Sequence, residues 1–232
     1  MRKSRCVIVL SIPRSGSSLV AGVLHRLGVD MGEGYLQPPD ISNQRGYYED
    51  LRWQKTNKRL VGPRYEMHCL EQIPERIQNK YRKLIAVCET KPLWGMKDPR
   101  LCVTLHWITP YLQDARLVIV RRDLGASVRS LVYHSQVSYQ GTLEMNDTQA
   151  RSLLEEWQRI MDWQIATFNG PMLTVNYRDM LNEPMAWVCE LNRFARQDLA
   201  VQDASDKQLL KAAAFCVPGL NHNSPGVRGR DG

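Results

Sequence analysis

The sequence has no apolar run approaching the roughly 18 residues that a membrane-spanning helix needs, because Pro, His, Asn or Gln interrupts even its longest charge-free stretches. It also has no C-x-x-C pair. The six cysteines fall at 6, 69, 88, 102, 189 and 216, in a chain long enough to build a core without cross-links. Free thiols and a cytoplasmic location are therefore expected. No internal repeat and no linker separates the chain into parts. The opening MRKSR followed by CVIVLSI imitates a secretion signal, but the apolar run is too short and no small-residue cleavage site follows, so a buried strand is expected instead.

The 232 residues, 43% hydrophobic and 24% charged, exclude wholesale disorder and favour a single domain, 1–232, with insertions. Thirty-one Lys and Arg against 24 Asp and Glu leave a net charge of +7, which suits an anionic ligand or a nucleic acid. Against nucleic acid, the basic residues are spread along the chain and no recognition motif appears.

Residues 6–12 (CVIVLSI) form a β-branched run, and 17–27 read as a helix ended by Gly28. The segment 28–92 reads as a loop and helical insertion: a Gly- and Pro-rich stretch to Gly46, then helices near 48–61 and 72–88. Further strands are expected at 93–97, 116–121 and 172–176. Helices are expected around 101–112 and at 124–136, 148–168, 184–196 and 206–215. This alternation predicts an α/β fold with a central parallel sheet of about four to five strands and helices on both faces, in a P-loop-like nucleotide-binding architecture. The tail, 221–232, reads as a frayed terminus, with a basic lid over a ligand as the other reading.

Directly after the first strand stands Ile12-Pro13-Arg14-Ser15-Gly16-Ser17-Ser18, and then a helix. Backbone N–H groups converge at a helix start, so an anion with several oxygens can be cradled there. Gly16 permits close backbone approach, Ser15, Ser17 and Ser18 add hydroxyl donors, and Arg14 can meet two oxygens at once. The loop lacks the first Gly and the Lys of G-x-x-x-x-G-K-[ST], which argues against an ordinary magnesium-dependent NTPase.

PRSGSS resembles the 5'-phosphosulfate loop, P-R-S-G-[TS]-[TS], of sulfotransferases that use 3'-phosphoadenosine 5'-phosphosulfate, especially bacterial members and protein-tyrosine sulfotransferases. A second element is similar to that family's 3'-phosphate motif, an Arg at a strand end and a Ser eight residues later: Arg122 and Ser130, within Arg122-Asp123-Leu124-Gly125-Ala126-Ser127-Val128-Arg129-Ser130. Leu124 stands where the family often has Pro. Independently of the resemblance, Asp123 is placed to cap the following helix, and Ser127 and Ser130 fall three apart on one helical face. Neighbouring strand residues face opposite sides, so one of Arg121 and Arg122 should meet the ligand, and the spacing selects Arg122.

Lys97, in Trp94-Gly95-Met96-Lys97-Asp98-Pro99-Arg100, sits at the carboxyl end of a predicted central strand, where parallel sheets gather ligand groups. The segment resembles the K-D-P element of protein-tyrosine sulfotransferases, which implies that Lys97 stabilises charge on the bridging oxygen as the sulfuryl group leaves. The plainer reading is a surface Lys paired with Asp98. Arg100 is a second candidate for the same pocket. Gly46-Tyr47-Tyr48-Glu49 resembles a G-[YF]-[FW]-E segment of bacterial sulfotransferases, making Glu49 the first choice for the base; its alternative is an acid in the first turn of a helix. Asp50, Glu33, His25 and His134 follow, the two histidines reading as ordinary helix residues. His68, beside Cys69, lacks further zinc ligands. Asn176-Tyr177-Arg178-Asp179-Met180-Leu181 is similar to a strand-to-helix segment of the family and reads as structural.

The resemblance, covering about 6–196, implies sulfuryl transfer from 3'-phosphoadenosine 5'-phosphosulfate to a small-molecule, glycan or peptide hydroxyl. It has Arg14 and the loop at the donor's 5' end, Arg122 and Ser130 at the 3' phosphate, and Lys97 and Glu49 at the chemistry. No metal is implied, since a sulfonate carries less charge than a terminal phosphate. A nucleotide-dependent kinase with an atypical loop and a non-catalytic nucleotide-binding relative are the alternatives.

Overall fold

The computed structural model describes residues 4–41, 43–61, 72–138 and 144–216; His68, Cys69 and the tail 221–232 lie outside these. Four strands, β1 (Arg5–Leu10), β2 (Leu93–Lys97), β3 (Ala115–Arg121) and β4 (Met172–Asn176), form one sheet in the order β2-β1-β3-β4, all parallel. The pairing places Val9 opposite Lys97 and opposite Val118, so β2 stops one residue short of the end of β1, and β3 runs on two residues past it, to Arg121.

Side-chain alternation sorts the strand residues between two cores. Cys6, Ile8, Leu10, Trp94, Met96, Leu117 and Ile119 face helices α2 (Leu51–Val61), α3 (Glu75–Cys88), α4 (Leu101–Ile108), α5 (Leu124–Ser138) and α6 (Asp147–Thr167). Val7, Val9, Val118, Val120 and Val175 face α1 (Ser17–Arg26), α7 (Tyr177–Asn182), α8 (Pro184–Arg196) and α9 (Asp206–Ala214). Both faces of the sheet are covered, which is why β1 and β3 read as continuous apolar runs.

Two of the boundaries that differ from expectation matter for the site. β1 ends at Leu10, two residues early, leaving Ser11 and Ile12 to lead into the glycine-containing loop. α2 begins at Leu51 and not at 48, because Tyr48 adopts a left-handed φ of 54° and the stretch around Glu49 pairs backward with the chain near Leu36. The Gln37 amide donates to the Glu49 carbonyl at 2.8 Å and the Leu51 amide to the Tyr35 carbonyl at 2.9 Å. Glu49 therefore belongs to a strap laid over the sheet end, and Asp50 takes the capping role, accepting from the Arg52 amide at 2.8 Å.

At the amino end of the sheet, Arg5 is buried. It donates to Asp114 at 3.1 and 2.9 Å and to the carbonyls of Ala195 and Gln197, while Arg116 donates to the carbonyls of Phe194 and Gln197 at 2.9 and 3.0 Å. Two guanidiniums thus satisfy the last carbonyls of α8, where the helix dipole favours cations. Arg5→Met would leave Asp114 and those carbonyls without their donor. We expect a loss of about 3 kcal/mol or more, read as a Tm lowered by roughly 6 °C or more in thermal unfolding.

Candidate active site

The chain leaves β1 and turns over the sheet end through Pro13, Arg14 (φ 65°) and Gly16 (φ 90°). Gly16 is required twice: its φ is left-handed, and a Cβ there would lie 2.1 Å from the Tyr177 ring. α1 starts immediately after, with Gly16 as its N-cap and no side-chain hydrogen bond closing its first turn. A helix start without a side-chain cap presents its N–H donors to whatever occupies the space before it. Ser15, 1% exposed, has no hydrogen-bond partner for its hydroxyl among the described residues, and Ser17 is buried beside it. The Ser18 hydroxyl accepts from Asn43 Nδ2 at 3.1 Å and from Lys97 Nζ at 3.3 Å.

On one side of this loop stand Arg14, Arg122, Ser130 and Tyr177. Arg14 Nε donates to the Ser130 hydroxyl at 3.2 Å, and Arg122 Nη1 donates to the Arg14 carbonyl at 3.0 Å while its guanidinium lies 4.7 Å from the centre of the Tyr177 ring. Arg121, its neighbour at the strand end, points away to pair with Asp162 on α6 at 2.6 Å. The two arginines diverge as strand alternation requires, and Arg122 is the one against the loop. Burial holds the Arg122 guanidinium below its ordinary pKa; the Tyr177 phenol opposes this, and the neighbouring cations Arg14 and Arg129 add to it. Asp123 caps α5, accepting from the Ala126 amide at 2.7 Å. Ser127, three residues before Ser130 on α5, is fully buried with its hydroxyl turned back to the Asp123 carbonyl at 3.2 Å.

On the other side, Lys97 and Glu49 meet. Lys97 Nζ lies 2.5 Å from Glu49 Oε1, with the two side chains 4% and 6% exposed. Lys97 is therefore not a surface residue paired with Asp98. Asp98 is occupied by the Arg100 amide and guanidinium, at 3.0 and 3.1 Å, and by Asn57 Nδ2 at 2.9 Å. Nor is Glu49 in the first turn of a helix, since α2 begins two residues later. Arg100 is buried beneath the site in its pair with Asp98. Asp50 is held by Arg52 at 2.5 Å, and Glu33 is exposed on a turn built around Asp30.

Sequence reasoning set His134 aside as an ordinary helix residue. Burial, with Arg14 nearby, pushes its pKa down to about 4, and Asp40 opposes that shift. The signal was in the spacing: His134 stands four residues after Ser130, on the same face of α5. Asn43 and Gln54 were passed over, because nothing local distinguishes a loop or helix amide that reaches a buried carboxylate or hydroxyl. His25 is as expected a helix residue, packed tilted against Tyr48 at 5.7 Å between ring centres. Among the described residues, no group of three His, Cys, Asp or Glu side chains is placed to hold a metal ion, and no helix is long and apolar enough to cross a membrane.

A family model described as "Sulfotransferase family" matches residues 6–201. The chain belongs to the sulfotransferase family. Sulfotransferases are among the solved structures with a similar fold. Sulfotransferase STF1 from Mycobacterium tuberculosis H37Rv is 16% identical, with 91% of this chain and 71% of that one covered at a TM-score of 0.60. Sulfotransferase STF9 from Mycobacterium avium is 14% identical, with 92% and 69% covered at 0.59. The sulfotransferase domain from the curacin biosynthetic pathway is 17% identical, with 91% and 78% covered at 0.55. No curated protein matches. This sulfotransferase is accordingly a group-transfer enzyme, and the kinase reading has no support.

The depressed pKa of His134 has a consequence for the stability of the sulfotransferase. The unfolded chain takes up the proton near pH 6.5, whereas the folded one resists it until about pH 4. His134 thus contributes stability that is present above pH 6.5 and lost as the pH falls toward 4. In urea unfolding at pH 7 and pH 5, His134→Gln should lose markedly less stability between the two than the native chain does.

Proposed function

We propose that the chain transfers a sulfuryl group from 3'-phosphoadenosine 5'-phosphosulfate to an acceptor hydroxyl, acting as one domain. A cytoplasmic location is part of this reading and is supported by the five described cysteines, all free thiols. The observation that carries the reading is the buried Lys97–Glu49 pair, set against Ser18 of an anion-cradling loop. The residues present fit the donor: an α1 start without a side-chain cap, a Ser15 hydroxyl with no partner among the described residues, and the Arg122 guanidinium with the cations Arg14 and Arg129 close by.

Arg14, Ser15, Gly16, Ser17 and Ser18 would hold the donor's 5' end through backbone and hydroxyl donors. Arg122 and Ser130 would hold its 3' phosphate, with Arg14 Nε already on the Ser130 hydroxyl to align it. When bound, the donor supplies a sulfuryl group on an activated mixed anhydride. Glu49 accepts the acceptor's hydroxyl proton as the new oxygen–sulfur bond forms, because a carboxylate held in place at the sheet end is the general base within reach. Lys97, between Glu49 and Ser18, donates toward the negative charge that develops on the departing oxygen. The ammonium shields two negative centres in turn, which suits a site that excludes water from both.

Three results are expected. 3'-Phosphoadenosine 5'-phosphate at a hundredfold excess over its Kd should stabilise by about 2.7 kcal/mol without added metal, a Tm rise of roughly 5–10 °C, and AMP should do so much less; equal shifts would remove Arg122 and Ser130 from the 3' phosphate. Arg122→Ala should weaken donor affinity in calorimetry about thirtyfold. Glu49→Gln should bind donor nearly normally while single-turnover rates with a phenolic acceptor panel fall by about 10² to 10⁴. Near-full turnover in Glu49→Gln would move the base elsewhere.

A further inference from the structure

Both oxygens of Glu49 are spoken for. Oε1 takes Lys97 Nζ at 2.5 Å, and Oε2 takes Gln54 Nε2 at 3.0 Å. Gln54, itself buried on α2, has a second donor contact to Gln37 Oε1 at 2.5 Å, and its own carbonyl accepts from Lys58 Nζ at 2.8 Å. Every polar atom of this amide is engaged.

The chemistry of the partners decides which way the amide points. An ammonium only donates and a carboxylate only accepts. With Lys58 on one side and Glu49 on the other, the amide must turn its NH2 to Glu49 and its oxygen to Lys58; the flipped amide would set oxygen against carboxylate and NH2 against ammonium, two repulsions in place of two bonds. Lys58 stands four residues after Gln54, one turn along the same face of α2. Lys58 is half-buried, and burial lowers its pKa, with Arg100 adding to this and Asp98 and Glu49 opposing it. The charged groups around the Gln54–Glu49 contact are thus Lys58 on α2, Lys97 on β2, and Asp98 and Arg100 just beyond β2.

We propose that Lys58 and Gln54 are positioning residues for the sulfuryl transfer: Lys58 fixes the orientation of the Gln54 amide, and the amide fixes the Glu49 carboxylate through Oε2. This rests on the reading of Glu49 as the base. The need for such a brace follows from the place of Glu49 in the chain. It lies on a strap outside the regular elements, next to a left-handed Tyr48, so no helix or strand sets its side-chain direction. The strap's backbone is tied to Gln37, and Gln37 also accepts from Gln54, so one amide couples α2 to the strap's main chain and to its carboxylate together. When Lys97 turns to the departing oxygen, Gln54 is the contact that keeps Glu49 aimed.

The test uses the full chain and the variants Gln54→Met, Lys58→Met, Lys58→Arg and Glu49→Gln. Donor affinity is read by calorimetry with 3'-phosphoadenosine 5'-phosphate, and kcat and its pH profile with a working phenolic acceptor. Gln54→Met should lower kcat about tenfold or more, leave donor Kd within about twofold, and move the acid limb of the kcat profile to higher pH, since the charged carboxylate has lost a donor. Lys58→Met should move both in the same direction by less, and Lys58→Arg, which keeps a donor to the amide oxygen, should restore them. The Gln54→Met, Lys58→Met double variant should be no slower than Gln54→Met alone, because the two act through one contact. If Glu49→Gln is inactive while Gln54→Met has a normal kcat and pH profile, the positioning role is wrong and the base stands. If Glu49→Gln turns over normally, the base assignment fails first. Should Gln54→Met not fold, the two Lys58 variants decide: equal profiles for Met and Arg overturn the proposal.

Discussion

Two opposite charges shut away from water have to find each other, and in this chain they come from residues 48 positions apart. Lys97 is fixed by β2, which is buried but lies at the edge of the four-stranded sheet and not at its centre as expected; Glu49 arrives on an irregular strap. A buried ion pair of this kind contributes little net stability, because desolvating both groups offsets most of their attraction, and an apolar pair of the same volume would often be as good. Once present, though, it constrains everything near it. Neither partner can be left alone without a cost of several kcal/mol, so the strap must close over the sheet end and Ser18, Asn43, Gln54 and Gln37 must take the remaining lone pairs and protons. The anion-cradling loop, the strap and α2 are held in one arrangement by that requirement.

The frame of the molecule was legible because it follows from local patterns. CVIVL and RLVIVR can only be strands buried on both faces, and the loop after β1 can only be a tight turn into a helix once Gly16 is read as tolerating a left-handed φ. Strand alternation separated Arg122 from Arg121 correctly. What failed depended on contacts between distant parts. Helical periodicity runs smoothly back from Leu51 to Tyr48, and only the pairing of Leu36 with Asp50 takes Glu49 out of the helix. Ser127 and Ser130 are three apart on one helix, and the sequence does not say that the Ser127 hydroxyl turns back to the Asp123 carbonyl. Lys97 beside Asp98 in sequence suggests a pair; burial sends one to Glu49 and the other to Arg100 and Asn57.

Net charge proved a weaker guide than it looked. Part of the +7 is consumed inside the protein: Arg5 and Arg116 close the end of α8, Arg196 donates to the carbonyls of Leu27 and Gln202, and Arg100 is locked to Asp98. These guanidiniums serve backbone carbonyls and a buried carboxylate. The cations gathered beside the loop are Arg14 and Arg122, with Arg129 near them, while Lys97 is paired with Glu49.

The contact between Gly16 and Tyr177 has a temporal side. The loop is made before the rest of the site, yet the ring that occupies the space beside Gly16, and carries Arg122 on its face, follows β4. Phe215, later still, packs against Gly22 of α1, and its carbonyl accepts from Arg45 of the strap. Contacts of such long sequence separation form late, after loop-closure entropy has been overcome. A nascent chain that has already made its loop, its strap and β2 would still lack the wall against which the loop is moulded.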